Sequence, residues 1–106
     1  MKCGFFSDQW SDPDGNFAGG VSTGRGFTIS WQNGPLGKGV DRREPNGAFV
    51  EDIIDAARDR LEFYQKSKFC CADNEQAIAH LQRALAILDR RTKDREERGV
   101  EGTYGQ

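Results

Sequence analysis

The sequence predicts an α+β fold: an antiparallel two-helix hairpin with a small N-terminal β-strand or hairpin layer, assembled as an oligomer. Three observations predict it. Apolar residues recur at spacings of three and four over residues 49–66 and again over 75–98, the period of an amphipathic helix. Apolar and polar residues alternate over 27–32, the period of a half-buried strand. Ten of the thirteen glycines precede Ala48, so turns concentrate in the first half. Residues 1–47 are read as a glycine-rich β/loop segment and 48–106 as the hairpin with its C-terminal turn, forming one cooperative domain.

In chain order, residues 1–26 place Phe5, Phe6 and Trp10 among turn formers: Asp12-Pro13-Asp14-Gly15, Gly19-Gly20 and Gly24-Arg25-Gly26. Two readings stand for this segment: a flexible tail, or chain ordered by what it covers, since isolated glycine-rich chain loses much entropy on folding. In 27–32, Phe27, Ile29 and Trp31 share one side and Thr28, Ser30 and Gln32 the other. A lone strand cannot satisfy its ladder groups. Its expected partner is an earlier segment around 19–23, or the same strand of a second copy. Asn33-Gly34-Pro35 ends it in a turn.

Residues 36–47 form a loop with glycines at 37, 39 and 47. Amides flanked by glycine approach anions closely, and Arg42 and Arg43 offer charge-assisted donors. A solvated basic loop is the plainer alternative. No Walker or dinucleotide fingerprint is present.

In the first helix Val50, Ile53, Ile54, Ala57, Leu61 and Tyr64 make the apolar stripe; in the second, Ala77, Ile78, Leu81, Ala84, Leu85 and Leu88. The connector, 67–74, ends in Asp73 and Asn74, either of which suits an N-cap. Gly99 suits a helix stop. Cys70 and Cys71 lie in the connector and are expected to be one packed thiol and one nearer solvent. At 100° per residue the second stripe continues through Thr92 and Arg95, with Arg91 on its flank and Arg98 one turn beyond. A desolvated arginine needs an anion. Here that is an internal carboxylate, such as Asp55, Asp59 or Glu62 on the first helix or Asp94, Glu96 or Glu97 nearby, or else a ligand phosphate. Residues 99–106 read as a defined turn or a frayed terminus.

A formal charge of −2 and a pI near 5.4 argue against DNA or RNA as partner. No apolar run is long enough for a membrane span and no signal peptide is visible, so cytoplasm is expected. Three cysteines and a single histidine supply neither a disulfide framework nor a zinc site. No cofactor or metal is expected. An enzyme reading would need His80 and Cys71 as base and nucleophile, but His80 lies well off the stripe. A two-helix hairpin is too thin to close a core alone, and oligomerisation is the expected remedy. A pure assembly or protein-inhibitor role is therefore the main alternative to ligand binding.

Several motifs carry a resemblance. They are Gln32-Asn33-Gly34-Pro35 after the strand, Asn46-Gly47 before the first helix, Arg60-Leu61, and Phe69 and Asn74 around the connector. The ending, with Arg91-Thr92, Arg95 and Arg98-Gly99-Val100-Glu101-Gly102-Thr103, is the specific part. Together they resemble the Thoeris anti-defence 1 family, phage-encoded cyclic-nucleotide sponges that share a helical-hairpin domain with an anti-CBASS protein. The resemblance runs from about Phe27 to Thr103. It implies a non-enzymatic protein that sequesters glycocyclic ADP-ribose at subunit boundaries in the host cytoplasm. In some relatives it implies hexamers with further pockets for cyclic di- or trinucleotides, so the expected assembly runs from dimer to hexamer. By motif, Tyr64 is the stacking aromatic, Asn74 the base-edge partner and Arg91 the phosphate donor. Arg43, or Arg42, matches the loop arginine, and Arg25 an N-terminal one. Arg95, Arg98, Gly99, Val100 and Thr103 are expected to serve a second pocket or assembly. Tyr64 stands where the family commonly has phenylalanine, and Cys70-Cys71 and the glycine-rich N-terminus depart from its pattern.

Overall fold

A computed structural model of the chain describes residues 4–99 and 103. They divide into two compact units, one of residues 4–49 with 98, 99 and 103, the other Val50–Glu97. The first holds a three-stranded antiparallel meander in the order β1-β2-β3: β1 (Phe6–Ser11), β2 (Phe17–Gly24) and β3 (Phe27–Trp31). The second holds α1 (Val50–Gln65) and α2 (Ala72–Glu97), packed against each other.

The alternating stretch is strand β3, and it pairs with β2 from Gly20↔Trp31 to Gly24↔Phe27, the earlier segment expected from sequence. The two-residue turn Arg25-Gly26 joins them. On the other side β1 pairs with β2 from Phe6↔Thr23 to Ser11↔Phe17, with a register shift between Gln9 and Ser11. The link between β1 and β2 is closed by Asp12, whose Oδ1 accepts the Asp14 and Asn16 amides at 2.9 and 3.0 Å. An aspartate that satisfies amides two and four residues on replaces the ladder bonds that the turn cannot make. Residues 6–24 are thus two paired strands and the turn between them, which resolves the tail alternative against it.

A polar chain crosses one face of this sheet. Gln9 Nε2 donates to Ser7 Oγ at 2.9 Å, Ser7 and Ser22 hydroxyls meet at 2.9 Å, and Trp31 Nε1 donates to Ser22 Oγ at 2.9 Å. Ser22 is 6% exposed, so the indole and the serines satisfy one another where water is excluded.

After β3 the chain returns to the strand's free edge. Ala48 bridges Trp31 in parallel, accepting from Gln32 N at 2.9 Å and donating to Ser30 O at 2.8 Å. At Gly47 a Cβ would stand 2.6 Å from the Trp31 carbonyl carbon and oxygen and 2.7 Å from Ser30 O. Only glycine permits this approach of backbone to backbone.

The half-buried residues of α2 are Asn74, Ala77, Ile78, Leu81, Ala84, Leu85, Leu88, Thr92 and Arg95, the apolar stripe read from sequence with its polar continuation. On α1 Ile53, Ile54, Leu61 and Tyr64 are half-buried, but Val50 and Ala57 are exposed. Val50 opens the helix, and Arg58, one position beyond Ala57, is half-buried. The start of α2 also differs from expectation. It begins at Ala72, so Asp73 and Asn74 lie in its first turn and Cys71 stands at the cap, its Sγ accepting the Asn74 amide at 3.4 Å. Asp73 and Glu75 place carboxylates at the positive end of the helix dipole instead. At the far end Gly99, with φ +74°, occupies the left-handed region and stops the helix.

Among the described residues no hydrophobic side chain is fully buried. Phe17 is 87% and Phe69 63% exposed. Each unit is one layer thick, and its apolar side has no second layer of its own.

Candidate functional site

The connector end of the hairpin is ordered by one glutamine. Gln65, last residue of α1, accepts the Cys71 amide with Oε1 at 3.0 Å and donates Nε2 to the Cys71 carbonyl at 3.1 Å. The same Oε1 accepts Asn74 Nδ2 at 3.2 Å, and Asn74 Nδ2 also donates to the Phe69 carbonyl at 3.1 Å. Both amide protons of Asn74 are therefore spoken for, and its side chain is fixed. Its Oδ1 has no partner among the described residues. A carboxamide oxygen so placed can accept one N–H, the edge partner an aminopurine requires. Cys70 and Cys71 are both exposed, which corrects the expectation of one packed thiol. Neither lies under the stripe, because the connector turns on the end of the hairpin and not across its face.

Tyr64 sits one residue before Gln65, half-buried, its ring 6.2 Å from that of Phe63 and tilted by 52°. Arg60 lies one turn earlier. Its Cζ is 4.9 Å from the Phe63 centroid and 5.3 Å from the Tyr64 centroid, within the range of a cation–π contact. Tyr64 and Asn74 thus share the connector end. Gln65 was not singled out from sequence, and Arg60 was named only in a motif of the resemblance, with no role at the site. The Arg-x-x-Phe-Tyr spacing at 60–64 signals the second, whereas nothing local signals a contact from Gln65 to residue 74.

Arg91 is elsewhere. It lies 17 residues along α2 from Asn74, about 25 Å at 1.5 Å per residue. Helix α1 has 16 residues and α2 has 26, so roughly the last ten residues of α2, ~15 Å of helix, overrun α1. Arg91 lies in that overhang, is exposed, and has no ion-pair partner among the described residues. The argument that desolvation forces an anion on it does not hold for the single chain, because no α1 residue is left to cover it. Nor do the α1 carboxylates serve it. Asp55 takes Arg58 Nε and Nη2 at 2.9 and 2.7 Å, and Glu62 pairs with Arg58 Nη1. Half-buried Arg95 and exposed Arg98 are both engaged, as is Thr103. Val100 lies outside the described residues.

In the other unit Arg43 holds its own loop. Its amide donates to the Leu36 carbonyl at 2.7 Å and its Nη2 to the Pro35 carbonyl at 2.8 Å. The Arg42 amide closes the 3-10 turn Gly39–Asp41 at 3.2 Å, and its exposed side chain is engaged. Lys38 Nζ donates to the Gly99 carbonyl, a contact within this same unit. Arg25 is exposed at the β2–β3 turn. Asn46 locks the strand end, its Oδ1 accepting Asn33 N at 2.8 Å, its Nδ2 donating to Asn33 O at 3.2 Å, and its amide donating to Gln32 Oε1 at 2.9 Å. The Gln32-Asn33 and Asn46-Gly47 pairs read from sequence are therefore one structural device. No described helix is long and apolar enough to cross a membrane.

The chain is 42% identical over 81 residues to Thoeris anti-defense 1 of Bacillus phage SBSphiJ7, covering 76% of this chain and 54% of that protein. It thus spans about half the length of this relative. Residues 24–93 match the family described as Acb2/Tad1, hairpin domain. That span takes in Arg25, the Asn33 and Asn46 clamp, both helices up to Lys93, and Tyr64, Asn74 and Arg91, and on it the chain belongs to the Acb2/Tad1 hairpin-domain family.

Proposed function

We propose that this chain is a phage anti-defence protein that binds and sequesters an immune signalling nucleotide, glycocyclic ADP-ribose, without cleaving it. The observation that carries the reading is the likeness to Thoeris anti-defense 1 over three quarters of the chain, in a family span that includes Tyr64, Asn74 and Arg91.

The geometry supports a division of labour. Tyr64 offers a ring face and Asn74 a fixed, unpartnered Oδ1 at the same connector end, suited to an adenine's face and edge. Arg91 offers a planar guanidinium for the phosphates, and by the family likeness Arg43, Arg42 and Arg25 are further candidate donors. A single hairpin cannot bring Tyr64 and Arg91 to one small molecule across ~25 Å of helix. The site is therefore composite: the connector end of one copy meets the α2 overhang of another. The exposed apolar side chains supply the drive for that association, from dimer up to hexamer. Arg95, Arg98, Gly99, Val100 and Thr103 serve assembly or a second pocket for cyclic di- or trinucleotides. The proposal asks for no nucleophile, cofactor or metal, and it places the protein in the cytoplasm of the infected cell, away from DNA, RNA and membrane.

Titration calorimetry against a panel of cyclic nucleotides tests this reading. Saturable binding of glycocyclic ADP-ribose, recovered unchanged after heat denaturation, is expected. A stable oligomer that binds none of them supports the other reading, a structural or inhibitory hairpin, which the same exposed apolar side chains favour. A processed nucleotide that accumulates with turnover overturns both.

A further inference from the structure

Arg58 and Arg60 are two residues apart on α1 and are used differently. Arg58 is half-buried and takes Asp55 and Glu62. Arg60 is exposed and, among the described residues, has no carboxylate or carbonyl partner. Its contacts are two rings, Phe63 and Tyr64. A guanidinium lying on aromatic faces keeps its in-plane N–H donors directed away from the rings, because the ring interaction uses the cation's face or charge and not its hydrogen-bond fork. The rings hold the stem and the charge in place while leaving up to five donors unspent. Phe63 is 55% exposed, so the cluster opens to solvent. Lys68, over the Phe69 ring at 5.4 Å, repeats the pairing in the connector.

We propose that Arg60 is a further ligand-binding residue of the nucleotide site, an anion donor on the same copy as Tyr64 and Asn74. This inference rests on the capture function proposed above. Arg60, Phe63, Tyr64 and Asn74 then recognise one purine nucleotide together: the rings its base, Asn74 Oδ1 the base edge, and Arg60 a phosphate oxygen. Arg91 of another copy closes on the remaining phosphate oxygens. The connector end thereby carries positive charge of its own, and half of the site is pre-formed before assembly.

The test is titration of wild type, Arg60→Gln, Arg60→Lys, Tyr64→Ala and the Arg60→Gln/Tyr64→Ala double variant with glycocyclic ADP-ribose, alongside thermal melts. Arg60 is exposed, so each Arg60 variant is expected to fold and melt within a few degrees of wild type. Loss of a charge-assisted contact weakens affinity about 10- to 100-fold in Arg60→Gln. Arg60→Lys, which keeps the charge and loses the fork, falls between. The double variant binds more weakly than either single one. Wild-type affinity in Arg60→Gln overturns the assignment. A double variant no weaker than Tyr64→Ala also overturns it, leaving Arg60 as a brace for the ring. No nucleotide binding by the wild-type protein overturns the capture function itself, and this inference with it.

Discussion

Asn46 and Asn33 are joined by two hydrogen bonds: the Asn46 carboxamide accepts the Asn33 amide at 2.8 Å and donates to the Asn33 carbonyl at 3.2 Å. A side chain thereby completes the strand edge where the backbone has turned away, and it fixes where the loop re-enters toward Gly47. Asn46→Ala removes both bonds and exposes the orphaned groups to water. Chemical denaturation should show a loss of about 1–2 kcal/mol, with no change in oligomeric mass.

Gly47 gives a sharper result. Its missing Cβ is within 2.7 Å of three backbone atoms of Ser30 and Trp31, which cannot yield as a side chain would. Gly47→Ala should cost about 1–3 kcal/mol by overpacking and slacken the Ala48 bridge. Faster amide exchange at Gln32 and Ala48, the two donors of that bridge, is the local readout.

Cys71 occupies a position usually held by serine, threonine, aspartate or asparagine. Its thiol accepts the Asn74 amide at 3.4 Å. Cys71→Ser should preserve the cap and hold or raise the melting temperature, and Cys71→Ala should lose roughly 0.5–1 kcal/mol. Since both connector thiols are exposed, mass spectrometry of folded protein treated with iodoacetamide should find Cys70 and Cys71 modified.

Much of this was legible in the chain. The period of two over 27–32 named β3, and the apolar spacing on α2 named its half-buried residues down to Arg95, because periodicity reports which side is covered. Strand β1 was not legible: Phe6–Ser11 is exposed at all six positions, so its side chains carry no contrast between faces. The start of α2 was misread at Asp73 and Asn74 because a thiol is a rare cap. Arg91 was read as sheltered because helical angle alone does not say where the opposing helix ends. The Gln65 to Asn74 contact depends on the connector's path, which no local pattern encodes.

Assembly is expected because the stripe is only half covered within one copy. Light scattering at micromolar concentration should give at least the dimer mass, because no described apolar side chain is fully buried within one copy. Leu85, half-buried at the middle of the α2 stripe, is the position to break. Leu85→Asp should dissociate or unfold the protein, since the charge finds no partner there.

Arg91→Lys should keep the fold and lose most ligand affinity, because a lysine cannot reproduce the bidentate fork. Loss of a desolvated charged contact costs on the order of 2–5 kcal/mol, or about 30-fold to several thousand-fold in affinity. Tyr64→Phe should bind nearly as wild type and Tyr64→Ala should not, which isolates the ring face from the hydroxyl.

The composite site can be tested by mixing copies. Tyr64→Ala and Arg91→Ala variants, each expected to bind glycocyclic ADP-ribose poorly alone, are unfolded together, refolded and titrated by calorimetry. If Tyr64 of one copy and Arg91 of another build each site, some mixed interfaces hold both wild-type residues. About a quarter of all sites should then regain wild-type affinity under statistical mixing of two-fold dimers. A mixture that binds only as the sum of its two defective parents, while wild type binds tightly, would contradict a site shared between copies.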